Sequence, residues 1–556
     1  MHLPKNIPST TQSLLLLALL AAVVFLPYLG SVHLFDWDEI NFAEAAREML
    51  TTGEYSYVQI NYEPFQEKPP LFFWMQALSM KAFGVNEFAA RLPNALCGIL
   101  SLMTLFIMGT RWHDRRFGWW WAGLYAASLL PHFYFKSGII DPWFNFFIFT
   151  GIYFLIRTHQ VPLRGVRLMA LSGLFIGLGI MTKGPVALLI FGLVYFIYWA
   201  SNRFKGLLHW SQILSFTGSL LAVCASWFLV EVARGRGEVV LDFIVYQIRL
   251  LQTQDAGHGG PFFYHFVVLL LGCFPASLFF LYAYRKPVAK EEVGKWMKIL
   301  FWVVLLLFSL VRTKIVHYSS LCYFPLTYLG ALGLWHWQKS DATFPAWLKW
   351  SIGLIGTVLG LLFTALPLVD RYKTEIIESG LIKDRFAVAN LQADVYWGGW
   401  EWLLGIMFWL GIMASLWFLG RSRRAIFGLL VTCLLGLELL SLVYIPKVEQ
   451  YSQGAAIAFY ESKQQEDCYL LTVGFKSYAH LFYGRKPPPT HPRHADKEWL
   501  LSGEADKPVY VVTKNIRKEE QLNWHPQLRV LYEKNGFVFL QVRSVLITSS
   551  ENPSVQ

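Results

Sequence analysis

Charge is scarce in this chain. Of its 556 residues, 15% are Asp, Glu, Lys or Arg and 55% are hydrophobic. A soluble protein of that length needs more surface charge, so the composition excludes an ordinary soluble enzyme. Cysteine is scarce as well. Of the six present, Cys97, Cys224, Cys273, Cys322 and Cys433 fall inside apolar segments, where small buried hydrophobes are usual, and Cys468 stands alone near the C-terminal end. No disulfide framework is expected, and no CxxC or Cys/His spacing marks a zinc site. No internal repeat is visible, which argues against a secondary transporter built from repeated halves with its coupling charges at mid-membrane. The net charge of +11 is not gathered into a Lys/Arg stripe interleaved with aromatics, so nucleic acid is not expected as a partner.

Apolar runs of span length are what the chain has in abundance. At roughly 20 residues per crossing, they lie near 12–32, 93–110, 119–135, 142–157, 168–182, 185–201, 210–232, 263–283, 299–311, 319–337, 348–368, 400–419 and 425–445. This predicts a polytopic α-helical membrane protein with about thirteen transmembrane helices. Aromatics at 17%, including 23 Trp, suit interfacial belts. The first run extends from Leu14 to Leu29 without a small-residue cleavage pattern, so it reads as a retained helix. Alternate connections are basic: Arg111/Arg115/Arg116, Arg157/Arg164/Arg167, Arg203/Lys205, Arg285/Lys286/Lys290/Lys295 and Arg421/Arg423/Arg424. The positive-inside rule assigns these to the cytoplasm together with Lys5. An odd span count then places the C-terminal region outside, with the long polar loop 33–92.

That loop breaks the apolar pattern. Asp36, Asp38 and Glu39 cluster where the first run ends, and Glu67-Lys68 follows, stiffened by Pro69-Pro70. Ionisable groups just outside hydrocarbon point to chemistry on a membrane-anchored substrate. Other connections on the same side carry Lys136 and Asp141, Lys183, Arg249, His258 in GHGGPFFY, and Arg312, Lys314, His317 and Tyr318 in RTKIVHY. Singly, each is a snorkelling side chain. Together they predict an outward cavity of carboxylates and cations, suited to moving a group off a lipid phosphate. Cations stabilise the departing phosphate, while a carboxylate takes the proton of an attacking hydroxyl or amine.

After Ile445 the pattern changes. CYLLTVG, VYVVTKN and EKNGFVFLQV read as strands, the last with Asn535-Gly536 as a hairpin turn. The expectation is a membrane domain over 1–445 and a small soluble α/β domain over 446–556. The latter has no phosphate-binding glycine loop and no Gly-x-Ser-x-Gly elbow, so it is expected to dock or guide the acceptor.

The block DEINFAEAAREML–FQEKPPLFFWMQALSMKAFGVNEFAARLPNAL resembles the bacterial aminoarabinose transferase and protein O-mannosyltransferase group, which are integral-membrane glycosyltransferases of the GT-C class. Lys136…Asp141, GIMTKGP, GHGGPFFY and TKIVHYSSLCYFPLTYLGAL follow in the order of that group, over roughly residues 10–340. The resemblance implies transfer of one sugar, with inversion, from a polyprenyl-phosphate donor. The acceptor would be a lipid such as lipid A, or a protein hydroxyl, at the periplasmic face of the bacterial inner membrane. Asp38 is the expected base, with Glu39 and Asp141 as further candidate catalytic carboxylates. Lys68, Arg249, Lys314 and Tyr318 are expected on the donor phosphate, and Glu67, Lys136, Lys183, His258 and His317 elsewhere in the cavity. A divalent metal ion is not supported by local spacing. VYQIRLL departs from the pattern, with Tyr246 and Gln247 where an acid–His pair precedes the arginine in the group. An O-antigen-ligase-like glycan transferase is the alternative, and a transporter a more distant one.

Overall fold

The computed structural model describes residues 10–65, 67–252, 259–284, 286 and 291–543. Helices occupy all the apolar segments read from the sequence. Among the described residues, seven are long and apolar enough to cross a membrane: Glu87–Trp112, Pro162–Lys183, Trp210–Ala233, Glu292–Leu310, Ala346–Arg371, Trp402–Leu419 and Ala425–Ser452. Thr10–Phe25 and Val186–Ser201 are shorter apolar helices. The run at 263–283, expected as one span, is instead two helices, Tyr264–Gly272 and Ala276–Tyr284, bent by 111°. Pro275 lies in the break, where it withholds the N–H that a continuous helix would use.

The polar loop is itself structured. Helix Asp38–Thr52 leads into a short hairpin, β1 (Gln59–Ile60) and β2 (Glu63–Pro64), followed by helix Leu71–Phe83. The helix buries Ile40, Ala43 and Ala46 on one side and Phe42, Ala45 and Met49 on another. Such all-round burial means that it is packed into protein and does not lie on a surface.

The C-terminal stretch forms a four-stranded sheet in the order β3-β4-β6-β5, from β3 (Tyr469–Thr472), β4 (Val509–Lys514), β5 (Leu528–Lys534) and β6 (Phe537–Val542). β3 and β4 are parallel and the other pairs antiparallel. The β5–β6 turn uses Asn535 at φ 49° and Gly536 at φ 81°, two left-handed residues whose twist matches that of the strands they join. The boundary read at 446 falls inside a helix, which runs from Ala425 through a π-turn at Leu440–Tyr444 to Ser452. Nor does the sheet stand apart. Val512, Phe537 and Phe539 share one buried cluster with Tyr460 and Phe482, and with Ile40, Ala43 and Met80 of the polar loop.

Candidate active site

Four helical elements deliver the candidate residues. Asp38 and Glu39 open helix Asp38–Thr52, where negative charge is favoured by the unpaired N–H groups. Asp141 opens helix Asp141–Gln160, with Pro142 fixing the first turn. Lys183 closes helix Gly165–Lys183, and Gly184 at φ 103° turns the chain away immediately behind it, a backbone angle that L side chains rarely adopt. His317 and Tyr318 ride on the 3-10 turn Val316–Cys322.

These ends converge on a cavity of about 350 Å³ whose lining includes Asp36, Asp38, Glu39, Glu67, Lys68, Asp141, Lys183, His317 and Tyr318. His317 Nε2 lies 3.2 Å from Asp38 Oδ2 and 3.8 Å from Asp141 Oδ2. Lys183 Nζ donates to Asp141 Oδ1 at 2.6 Å and stands 5.1 Å from the centre of the Tyr318 ring. Lys68 Nζ is 4.0 Å from Glu67 Oε2. Carboxylate, imidazole, carboxylate and ammonium thus form a chain within the cavity, with Lys68 as a second cation in its lining.

Burial pushes the Asp38 carboxyl up, but the hydrogen bond and charge of His317, with the charges of Lys183 and Lys68, outweigh it and leave Asp38 below its ordinary value. Desolvation lowers Lys68; Glu67 opposes that shift, Lys183 adds to it, and Asp38 and Asp141 oppose it more weakly. The neutral form of Lys68 is therefore more accessible than in water, and an anion arriving beside it restores the charged form.

Glu39 lines the same cavity, yet both of its oxygens are engaged. Arg91 Nη2 donates to Oε2 at 2.8 Å and Arg91 Nε to Oε1 at 3.0 Å. The N–H groups of Phe35 and Gly138 donate to the same carboxylate. Arg91 also donates to the carbonyls of Leu29, Val32 and His33. Glu39 is 4% exposed and Arg91 3%, so this is a buried, fully bonded ion pair that ties the loop to helix Glu87–Trp112.

Three expected members lie elsewhere. Lys314 caps a helix: its ammonium donates to the carbonyls of Phe308, Ser309 and Val311 at the end of Glu292–Leu310, at 3.1, 2.7 and 2.5 Å. Lys136 turns away from the cavity to Glu438, at 2.8 Å, and His132 Nε2 lies 3.4 Å from the same carboxylate. Arg249, on helix Gly237–Gln252, stands 5.1 Å over the Tyr246 ring, and Lys68 stands 5.8 Å from that ring. Arg249 is therefore one ring away from the cavity and outside its lining. His258 lies outside the described residues. Among the described residues, no group of three or more His, Cys, Asp or Glu could hold a metal ion. The reading of the sequence passed over Glu438 and Arg91. The first was signalled by a lone acid inside an apolar run; Arg91 had no local signal.

Residues 67–228 match the family model described as dolichyl-phosphate-mannose-protein mannosyltransferase. Curated relatives share the name undecaprenyl phosphate-alpha-4-amino-4-deoxy-L-arabinose arabinosyl transferase. That of Pectobacterium carotovorum is 29% identical over 64% of this chain and 65% of its own length. That of Pseudomonas aeruginosa is 30% identical over 57% and 58%. The chain thus spans less than two thirds of the length of the relatives it matches. In fold the agreement is more extensive. The crystal structure of ArnT from Cupriavidus metallidurans in the apo state superposes with a TM-score of 0.76 at 19% identity, covering 98% of this chain and 100% of that one. The same protein bound to undecaprenyl phosphate gives 0.75 at 18% identity, with the same coverage. Over part of its length this chain is similar in sequence to these arabinosyl transferases, and it shares the fold of the ArnT structures.

Proposed function

We propose that the chain transfers a sugar from a polyprenyl-phosphate donor to an acceptor at the outer face of the bacterial inner membrane. The observation that carries this reading is the run Asp38–His317–Asp141–Lys183 in one cavity, with Lys68 also in its lining. The names of the arabinosyl transferase relatives and the undecaprenyl phosphate held by a protein of the same fold support it.

In this reading the lipid phosphate sits against Lys68 and Tyr318, with Arg249 and Tyr246 behind. An acceptor oxygen attacks the anomeric carbon from the opposite side, the bond to the phosphate oxygen breaks, and its electron pair leaves with the lipid phosphate. The configuration inverts. Cations placed where negative charge develops lower the barrier, because they need no reorganisation as the bond breaks. A hydroxyl acceptor gives its proton to Asp38, whereas an ionised acceptor phosphate has none to give. Asp38 then steadies positive charge on the sugar ring. His317 holds Asp38 on the cavity side, and Lys183 anchors Asp141 behind it. Glu39 serves as a brace. A lipid A phosphate and a protein Ser/Thr hydroxyl are both acceptors of suitable chemistry.

The topology that goes with this function is about thirteen spans, a membrane domain over 1–445, and a loop 33–92 and C-terminal region both outside. A phosphatase fusion after Val448 and an impermeant maleimide on a cysteine placed at Glu63 should both report from outside; cytoplasmic readings at both sites overturn it. The reaction itself is tested with the full chain in nanodiscs, supplied with undecaprenyl-phosphate sugars and either a phosphorylated glycolipid or a Ser/Thr peptide. Release of undecaprenyl phosphate coupled to acceptor glycosylation, abolished in Asp38→Ala, is the expected result. Donors of several sugars left intact by the wild-type protein overturn the assignment.

A further inference from the structure

The run His33–Trp37 leads directly into Asp38, and it is held from the other end of the chain. His33 Nδ1 lies 3.1 Å from Glu449 Oε1. The Leu34 N–H donates to Tyr483 Oη at 2.6 Å, and the Leu34 carbonyl accepts from Gln453 Nε2 at 2.8 Å. Asp36 Oδ1 accepts from the Tyr478 N–H at 3.2 Å. The Trp37 ring meets the Tyr478 ring edge-on at 5.4 Å, with the Lys476 ammonium 4.3 Å above it. On the other side, the Phe35 N–H donates to Glu39 and the His33 carbonyl accepts from Arg91. Tyr483 Oη donates onward to Glu87 Oε1 at 3.1 Å, so its hydroxyl links this run to the start of helix Glu87–Trp112.

We infer that the C-terminal region is a positioning device for Asp38, with Tyr483 and Gln453 as its principal positioning residues. This rests on the reading of Asp38 as the acting carboxylate. Asp38 is then fixed from both sides: Glu39, bound to Arg91 and Gly138, follows it, and the clamped run precedes it. Both backbone polar groups of Leu34, its N–H and its carbonyl, are taken by C-terminal side chains. With them removed, the Leu34 backbone loses both partners, and the C-terminal hold on the run falls to His33, Asp36 and Trp37. A docking module acts on the acceptor and has no need of contacts to the chain that carries the base. A positioning device must have them, because a shift of about 1 Å in a reacting group costs about 10²-fold in rate.

The test uses the full chain in nanodiscs, as wild type and as the double variant Tyr483→Phe/Gln453→Ala. Amide hydrogen exchange over residues 33–38 should become faster in the variant. Its kcat should fall at least tenfold, with the KM of donor and acceptor and the binding of undecaprenyl phosphate unchanged. A raised acceptor KM with kcat preserved means docking and overturns the inference, as does faster exchange without loss of kcat, or unchanged exchange. Should the double variant fail to fold, Tyr483→Phe alone and Lys476→Ala, at the exposed contact with Trp37, are held to the same criteria at smaller amplitude. If the wild type transfers no sugar, the proposed reaction falls, and the exchange measurement still decides whether the clamp exists.

Discussion

A single imidazole bridges two carboxylates from separate helices: His317 Nε2 is 3.2 Å from Asp38 Oδ2 and 3.8 Å from Asp141 Oδ2. The ring holds the Asp38 carboxylate toward the cavity, and its other neighbour is itself anchored by Lys183 at 2.6 Å. This ordered chain makes the individual contributions separable by mutation.

Asp38→Asn keeps the shape of the side chain and removes its charge. Turnover should fall by about 10²–10⁴, the scale of acid–base catalysis, with expression and undecaprenyl phosphate binding retained. His317→Gln should cost less, because Asp38 keeps its charge and loses only its orientation. Steady-state transfer kinetics check both, and a His317→Gln variant slower than Asp38→Asn would reverse the assigned roles.

The acid limb of kcat/KM should respond to Lys183. Burial acts to raise the Asp38 carboxyl, while His317, Lys183 and Lys68 together hold it below its ordinary value. A depressed carboxyl stays ionised as pH falls, so activity should hold down to about pH 5, above the usual carboxylate range. Lys183→Met removes one opposing charge and leaves desolvation less countered. The limb should move to higher pH, as read from kcat/KM between about pH 4 and 8.

Glu39 and Arg91 should govern stability rather than rate. Removing one member of a buried pair leaves the other uncompensated, at a cost of about 3–5 kcal/mol. Glu39→Ala and Arg91→Ala are expected to melt far below the wild type or not to accumulate. The Lys339–Asp114 pair, at 3.0 Å and with side chains 48% and 37% exposed, is the control. Lys339→Ala should cost less than about 1 kcal/mol. Thermal melts in one detergent compare the three.

Lys68 and Lys314 should part company. Lys68→Ala should weaken undecaprenyl phosphate binding at least tenfold, since a charge-assisted hydrogen bond is worth about 1.5–3 kcal/mol. Lys314→Ala should leave that affinity unchanged and lower the melting temperature, because its ammonium caps Glu292–Leu310. Equal losses of affinity would return Lys314 to the donor site.

Glu48 offers a pH signature of its own. Burial, with the charge and hydrogen bond of Glu44, pushes its carboxyl up to about 9 from 4.5, against the opposing Tyr62 N–H and Arg47. Between those values the folded state holds a proton that the unfolded state has lost, so stability falls as pH rises. Glu48→Gln copies the protonated form. Its melting temperature should be close to the wild type at about pH 5 and above it near pH 9.

The residues of the cavity were readable because ionisable side chains at the ends of apolar runs are expensive to keep without a purpose. Asp38, Lys68, Asp141, Lys183, His317 and Tyr318 all meet there. What sequence could not separate were near neighbours. Asp38 and Glu39 are adjacent, yet successive helical positions point about 100° apart, one toward His317 and the other toward Arg91. Lys314 and His317 are three residues apart, and a 3-10 turn that begins at Val316 separates a helix cap from a cavity wall. Lys136 was misplaced because its partner, Glu438, lies on a helix far along the chain. In the fold, the strands and the Asn535-Gly536 hairpin were legible from local chemistry, whereas the shared core of sheet and polar loop is a long-range relation with no local trace.

The clamp on His33–Trp37 also sets an order of events during synthesis. The ribosome releases Asp38 early, but Glu449, Gln453, Tyr478 and Tyr483 emerge only when most of the chain has been made. Until then the Leu34 backbone lacks its two partners, Tyr483 and Gln453, and Asp38 is fixed from one side alone. A nascent chain halted before Glu449 should therefore carry every residue of the cavity and still turn over at least tenfold more slowly, so that full reactivity waits for these late residues.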